Sequence, residues 1–338
     1  MIRDKRLRTF LVLLVSTMAL LVGCATPKPQ PFNLTADQTT LTQQYVEIKK
    51  ANKLKGIKKV AISQYFVEFV TKSYGGATAS NAQQKSSSTV GVWANLKGIE
   101  TEQFQAITDK MYEQMVEEFK KAGIEVIPVE QLKQSKSFQK LVEKEKKAPY
   151  EISSWNRTSQ MFAAKGLPLY FDPNDKRLGL GNMFASQFSN FNPEKWEEKI
   201  AEEMDTAVLK ANFTVTYANM ETKGGQFRNK AEVNTDLKVT LIPEDTNYTV
   251  VSKNGTSRFI LKEPVFADGK FIIEVKDALT AGDKTANALS SIAGAFSGTT
   301  SKTLKFDAKA DSAAYKDLVE KHIGAIDNLF FNQMKANF

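Results

Sequence analysis

An α+β fold follows from two periodicities and from their order along the chain. Apolar residues recur at helical spacing in two long segments, one opening at Thr101 and one at about Ser312, while period-two alternation dominates from Leu209 to Leu241. The N-terminal half runs strand, helix, strand, the order of a βαβ unit. The C-terminal half reads as an antiparallel β-meander closed by a last helix.

Taken in order, Ala25 to Phe32, with Pro27, Pro29 and Pro31, reads as an extended tether that continues to about residue 35. Thr35-Ala36-Asp37-Gln38 has capping-box spacing, and Leu41, Tyr45 and Ile48 follow at helical intervals, so a helix is expected over about 36–52. Val60 to Val70 is apolar on both parities, interrupted by Gln64 and Glu68, which suits a strand buried on both faces. Ser73 to Lys97, rich in Gly, Ser, Ala and Gln, reads as a long loop. The helix from Thr101 carries Phe104, Ile107, Met111, Met115 and Phe119 on one stripe, and Gly123 is placed to end it. Ile124 to Val129 supplies the second strand of the βαβ unit, and a charged helix is expected near residues 137–147.

Residues 149–192 form an aromatic insert with little periodicity, followed by Asn192-Pro193, a good helix start for the face Trp196, Ile200 and Met204. Leu209 to Tyr217 and Val233 to Leu241 alternate as strands with one wet face. Asn254-Gly255 and Asp268-Gly269 are hairpin signals, and Phe271, Ile273 and Val275 belong to a further strand. In the small-residue stretch from Thr280 to Ser301, Leu289, Ile292, Ala293 and Phe296 suggest either a short helix resting on the sheet or a membrane-contacting element. The last helix directs Tyr315, Leu318, Val319, Ile323, Ile326 and Phe330 inward. No internal repeat is visible.

The first 23 residues have the layout of a secretory signal. Arg3, Lys5, Arg6 and Arg8 make a positive start, and Phe10 to Val22 is an apolar run ending in Gly23. That run of about 13 residues falls short of the about 20 that span a bilayer. At its end Leu21-Val22-Gly23-Cys24 resembles the lipobox of bacterial lipoproteins, over all four positions. The resemblance implies cleavage before Cys24 and attachment of acyl chains such as palmitate to its thiol. Two or more chains give stable anchoring. Ala25 stands where the inner-membrane retention signal would place Asp, so the implied address is the outer membrane, facing the periplasm. Three regions result: a signal peptide at 1–23, a lipidated N-terminus and tether at 24–35, and a single globular domain at 36–338 with an insert at about 149–192.

Composition limits the chemistry. The chain has 46 Lys and Arg against 38 Asp and Glu, and loss of the leader removes four bases and Asp4, leaving an excess of about five. That mild excess, with export, argues against a nucleic-acid partner. Lys49, Lys50, Lys53, Lys55, Lys58 and Lys59 read as a solvated face with weak attraction for anionic lipid or peptidoglycan. Cys24 is the only cysteine, so the mature fold is held by its core alone. The single histidine, His322, flanks the stripe of the last helix and reads as structural or surface; a catalytic triad or histidine-based metal site would have to rest on it alone. Gly179-Leu180-Gly181-Asn182 lacks the context of a dinucleotide fingerprint. Asp172-Pro173-Asn174-Asp175 lacks the glycine and glutamate of a calcium loop, having Arg177 and Met183 at those positions. No cofactor or metal is expected, and no enzymatic activity, although carboxylate catalysis depends on the fold rather than on spacing.

What remains is aromatic. Trp155, Tyr170 and Phe171 are the candidate partner-binding residues of the insert, because aromatic rings dominate binding patches. The competing reading makes them satellite core pinning a long loop.

The element order and the lipobox together resemble a group of exported α/β domains. These are the curli-secretion-channel lipoprotein, the lipoprotein activators of penicillin-binding proteins, and the N-terminal domain of the Tol-system β-propeller protein. The resemblance spans about 57–132 and 204–335. It implies a non-catalytic binding or accessory module for another envelope component, held to membrane lipid by Cys24 and docked on an envelope protein. Alternatives are a subunit of an oligomeric outer-membrane secretion pore and an exported hydrolase using carboxylates. A pore subunit needs hairpins of about ten residues with alternating apolar side chains, which 73–97 and 280–301 do not display as sequence.

Replacing the anchor residue tests this placement. Cys24→Ser should abolish fatty-acid labelling and move the protein from the membrane pellet to the soluble fraction.

Overall fold

The computed structural model describes residues 30–338 except 174, 176, 178–190, 244, 278–282, 286–290 and 298–299. The signal segment, Cys24 and the Gly179–Asn182 stretch lie outside the described residues. Pro31–Phe338 form one compact unit.

The chain enters as part of the body rather than as a free tether. Phe32 is buried and donates its backbone N–H to the carbonyl of Phe266, and its ring packs edge-on against Tyr45. The expected tether to residue 35 therefore ends before Pro31. Helix α1 (Gln38–Tyr45) is capped by Asp37, which accepts from Thr40 N at 3.0 Å. It is shorter than the expected 36–52, because the chain turns at once into strand β1 (Val46–Lys49) and a 3-10 turn at Ala51–Leu54. Of the expected lysine face, Lys49, Lys50, Lys55, Lys58 and Lys59 are exposed and Lys53 is half-buried.

Strand β2 (Lys59–Asn81) runs for 23 residues, about 75 Å at 3.3 Å per residue, and returns as β3 (Ser86–Lys97). The expected loop at 73–97 is thus a long hairpin. Helix α2 (Thr101–Lys121) follows, its apolar stripe buried as the periodicity requires, and Gly123 ends it at φ +78°. Strand β4 (Glu125–Ile127) lies parallel to the start of β2, completing the βαβ unit. Short helices α3 (Val129–Leu132) and α4 (Lys136–Val142) follow, α4 standing where a charged helix was expected near 137–147 and ending sooner. The insert is partly regular. Strands β5 (Tyr150–Ser153) and β6 (Arg157–Ala163) form a hairpin whose second strand pairs antiparallel with β2.

Helix α5 (Pro193–Glu203) starts at its expected cap, Asn192, and leads to β7 (Ala207–Thr216), parallel to β2. Expected to have one wet face, β7 is covered on both. Beyond it come β8 (Asn219–Lys223) and β9 (Gly225–Gln226), and then β10 (Lys230–Asp236) and β11 (Thr240–Leu241) divide what alternation suggested was one strand at 233–241. Strands β12 (Asn247–Ser252) and β13 (Gly255–Leu261) form the Asn254-Gly255 hairpin. The Asp268-Gly269 turn joins β14 (Val265–Phe266) to β15 (Ile272–Asp277), but these pair elsewhere and make no hairpin. The segment read as a short helix contributes β16 (Asp283–Thr285), β17 (Ser291–Ser297) and the start of β18 (Thr300–Ala310), while Leu289 falls outside the described residues. Helix α6 (Ser312–Lys335) closes the chain, capped by Asp311.

The main sheet has the order β1-β13-β12-β7-β2-β3-β18-β15-β16, and β17-β10-β8 form a second sheet. The mixture of helices with parallel and antiparallel strands is the α+β class. One face of the main sheet is covered by α2 and α6, burying Tyr65, Val67, Phe69, Leu209 and Phe213 with Met111, Phe119, Ile326 and Phe330. On the other face α3, α4 and α5 cover Ala61, Val208 and Val251. The second sheet lies over the β2–β3 hairpin. It approaches so closely that a Cβ at Gly75 would meet Met220 and Val233 at 3.0 Å. Beside it, β9 pairs in plane with β2, and a Cβ at Gly224 would lie 2.3 Å from the Thr78 carbonyl oxygen.

Backbone cannot retreat from an added atom as a flexible side chain can, so Gly224→Ala forces β9 away from β2. We expect a loss of about 1–3 kcal/mol, the usual cost of overpacking, measurable as a lower urea midpoint.

Candidate interaction surface

The insert is fastened to the sheet by polar residues of β2. The pairing of β2 with β7 slips one residue between Ile62 and Gln64, placing an extra residue at Ser63. Val60 and Ile62 share the helical face with Tyr65, Val67 and Phe69, while Phe66 and the polar Gln64 and Glu68 meet the insert. Gln64 Nε2 donates to the carbonyl oxygen of Tyr170 at 2.8 Å. The Tyr170 hydroxyl lies 2.9 Å from Ser63 Oγ and donates to Glu197 Oε1 at 2.7 Å, and Lys210 Nζ reaches the same carboxylate at 3.2 Å. Burial, reinforced by the Glu197 charge, holds the Tyr170 phenol well above its usual pKa, so it stays a donor.

A second set of charges lies along the same strand. Glu68 is fully buried, with Arg157 3.3 Å from its Oε1 but outside hydrogen-bond alignment, and Thr214 Oγ1 3.2 Å from its Oε2. Arg157 also pairs with Asp245 at 3.1 Å. Arg177 pairs with Asp175 and lies over the Phe66 ring, 5.1 Å from its centroid. The buried carboxylates Glu68 and Glu197 each face a base rather than each other. Among the described residues no group of three or more metal-ligating side chains could hold a metal ion. Asp175 thus belongs to an ion pair. His322 is buried, its Nδ1 2.7 Å from the Leu318 carbonyl oxygen, and burial holds its pKa below the ordinary value.

The three candidate aromatics separate. Tyr170 is 1 % exposed and Phe171 8 %, Phe171 stacking near Tyr150 and Phe66. Neither offers a ring to a partner, so the docking expectation is corrected for both: they are satellite core, buried because Gln64 and Glu197 draw the segment onto the sheet. Trp155, by contrast, is 77 % exposed. It sits in the turn between β5 and β6, and the next residue, Asn156, accepts from Tyr74 N at 2.7 Å. Sequence reasoning passed over what lies there. Tyr74 and Trp93, opposite each other on β2 and β3, are half-buried and stack at 4.6 Å. The Tyr74 hydroxyl approaches Gly76 and Gly91 so closely that a Cβ at either would stand within 3.0 Å of it. Paired glycines facing an aromatic across a hairpin were the available signal.

Comparison with protein-family models, with curated proteins and with solved structures finds no match in any of the three.

Truncation separates core from surface. Tyr170→Ala and Phe171→Ala should each cost about 3–5 kcal/mol, the range for large aromatics in a core. Trp155→Ala should change stability by about 0.5 kcal/mol or less. Thermal or urea unfolding of the purified variants reads the difference.

Proposed function

We propose that this chain is a bacterial envelope lipoprotein, fixed to the outer membrane through acylated Cys24 and facing the periplasm, that serves as a non-catalytic binding module for another envelope protein. The observation carrying the reading is Trp155, an exposed aromatic on a short, registered hairpin beside the Tyr74–Trp93 pair. A large ring held in place loses little entropy on binding, and such residues concentrate binding energy. No helix among the described residues is long and apolar enough to cross a membrane, and the lipid on Cys24 supplies the attachment in this reading.

A second reading, the subunit of an oligomeric pore, is favoured by the β2–β3 hairpin. Ala77, Ala79, Val90, Val92 and Ala94 are buried on one side of it, whereas Gly76, Thr78 and Thr89 alternate with them. Alternation of small apolar and polar residues suits a membrane hairpin, provided that β8, β10 and β17 leave the face they cover.

A photo-crosslinking residue at position 155, compared with one at the exposed Ile273, distinguishes the readings in intact envelopes. The binding module should yield a discrete heterologous adduct from position 155 alone, and Trp155→Ala should weaken the recovered complex by about 2 kcal/mol, as at a hot spot. Equal adducts from both positions would overturn it. Ring-shaped homo-oligomers and conductance in liposomes would establish the pore.

A further inference from the structure

A cleft of about 480 Å³ opens between α2 and α6, lined by Glu113, Glu117 and Glu118, by Lys110 and Lys121, and by Asp327. The lysines are already engaged, Lys110 with Glu320 at 2.6 Å and Lys121 with Glu118 at 2.9 Å, while Glu117 pairs with Lys120. Glu113 and Asp327 have no basic partner among the described residues. Asp327 is 95 % buried, and its Oδ1 has no hydrogen-bond partner. The hydroxyl of Tyr65, on β2, is likewise buried without a partner and lies within the electrostatic reach of Asp327. Gly324, one turn before Asp327, adds no side chain to the opening.

Orphaned buried oxygens are uncommon in folded proteins, and one on a carboxyl group that lines an open cleft calls for a compensating group there. The surroundings decide its chemistry. Acidic walls repel anions, and a buried carboxyl on the floor is left uncharged until a positive donor opposes it, so the missing group is a cationic donor. Among the described residues no set of ligands could hold a metal ion. We infer that the α2–α6 cleft binds a primary ammonium group on an aliphatic chain, donating to the carboxyl groups of Asp327 and Glu113 that line it. The ammonium comes either from a free polyamine or from a lysine of a partner protein. This site is independent of the Trp155 surface.

Proton linkage gives the site a signature. The titratable groups that share the cleft with Asp327 are Glu113, Glu117, Glu118, Lys110 and Lys121 of α2, and Tyr65 of β2 lies within its electrostatic reach. Burial, then the Glu118 charge, hold the empty Asp327 well above the usual carboxylate range. An arriving ammonium draws it to ionise, so binding releases a proton. Affinity should rise by up to about tenfold per pH unit until Asp327 ionises unaided.

The test is calorimetric titration of the full chain in detergent at pH 6, 7 and 8, in two buffers of different ionisation enthalpy. The probes are 1,4-diaminobutane and a capped Gly-Gly-Lys-Gly-Gly peptide, with tetramethylammonium as a cation lacking N–H donors. We expect one of the first two to bind with release of about one proton, and Asp327→Asn to weaken it at least about tenfold while abolishing that release. Glu113→Gln should weaken binding severalfold with the release retained. Tighter binding of the diamine identifies a free polyamine, and tighter binding of the peptide a partner's lysine. Absence of binding by both, equal binding of tetramethylammonium, or unaltered binding in a folded Asp327→Asn variant would overturn the inference.

Discussion

Strand β2 is paired along nearly its whole length, with β4 and β7 at its start, β6 and β7 in its middle, and β3 toward its end. Every layer of the protein rests on it. Its first half divides the interior, with α2 and α6 packed on one face and the insert with α3, α4 and α5 on the other. Its second half extends with β3 into a region that the second sheet covers. A strand shared by all the layers cannot shift register without turning each set of side chains to the wrong face. The extra residue at Ser63 is what lets Val60 and Ile62 share a face with Tyr65, Val67 and Phe69.

The helices were legible because their burial is one-sided. Phe104 to Phe119 and Tyr315 to Phe330 recur at helical spacing, and the structure buries those stripes. The βαβ order and the buried strand at 60–70 were readable for the same reason, since large apolar residues marked the interior. At 73–97 the inward positions are Gly75, Ala77 and Ala79, and small residues carry almost no period-two signal. They are small because the sheets approach closely, as the space around Gly75 shows. Composition that resembles a loop is here the consequence of tight sheet packing. The stretch at 280–301 is likewise rich in small residues and carries little period-two signal for its strands. Of the candidate surface, the aromatic excess was legible, but which rings face inward depends on the partners of Gln64 and Glu197, which are distant in sequence.

Gln64 and Glu68 interrupted an otherwise apolar run, and the fold gives that interruption a purpose. A fully buried carboxylate is expensive unless opposed by charge and hydrogen bonds, and removing a partner from such a pair typically costs about 3–5 kcal/mol. Glu68 can therefore be tolerated only in the arrangement that brings Arg157 and Thr214 to it, and Glu197 only where Tyr170 and Lys210 meet it. These pairs need not add net stability over apolar packing. They exclude other placements of the insert on the sheet.

That exclusion reaches the surface. Arg157 lies two residues beyond Trp155 and opens β6, so the contact that neutralises Glu68 also fixes the start of the strand from which the tryptophan turn projects. Asn156, between them, is held by Tyr74 N at 2.7 Å. Trp155 is thus exposed but carried on backbone constrained on its C-terminal side. A ring presented in this way reaches a partner with little further ordering, and preorganisation of this kind spares part of the entropy that association otherwise costs. The buried charges of β2 and the exposed aromatic of the insert are two ends of one constraint, the register of β6 on β2.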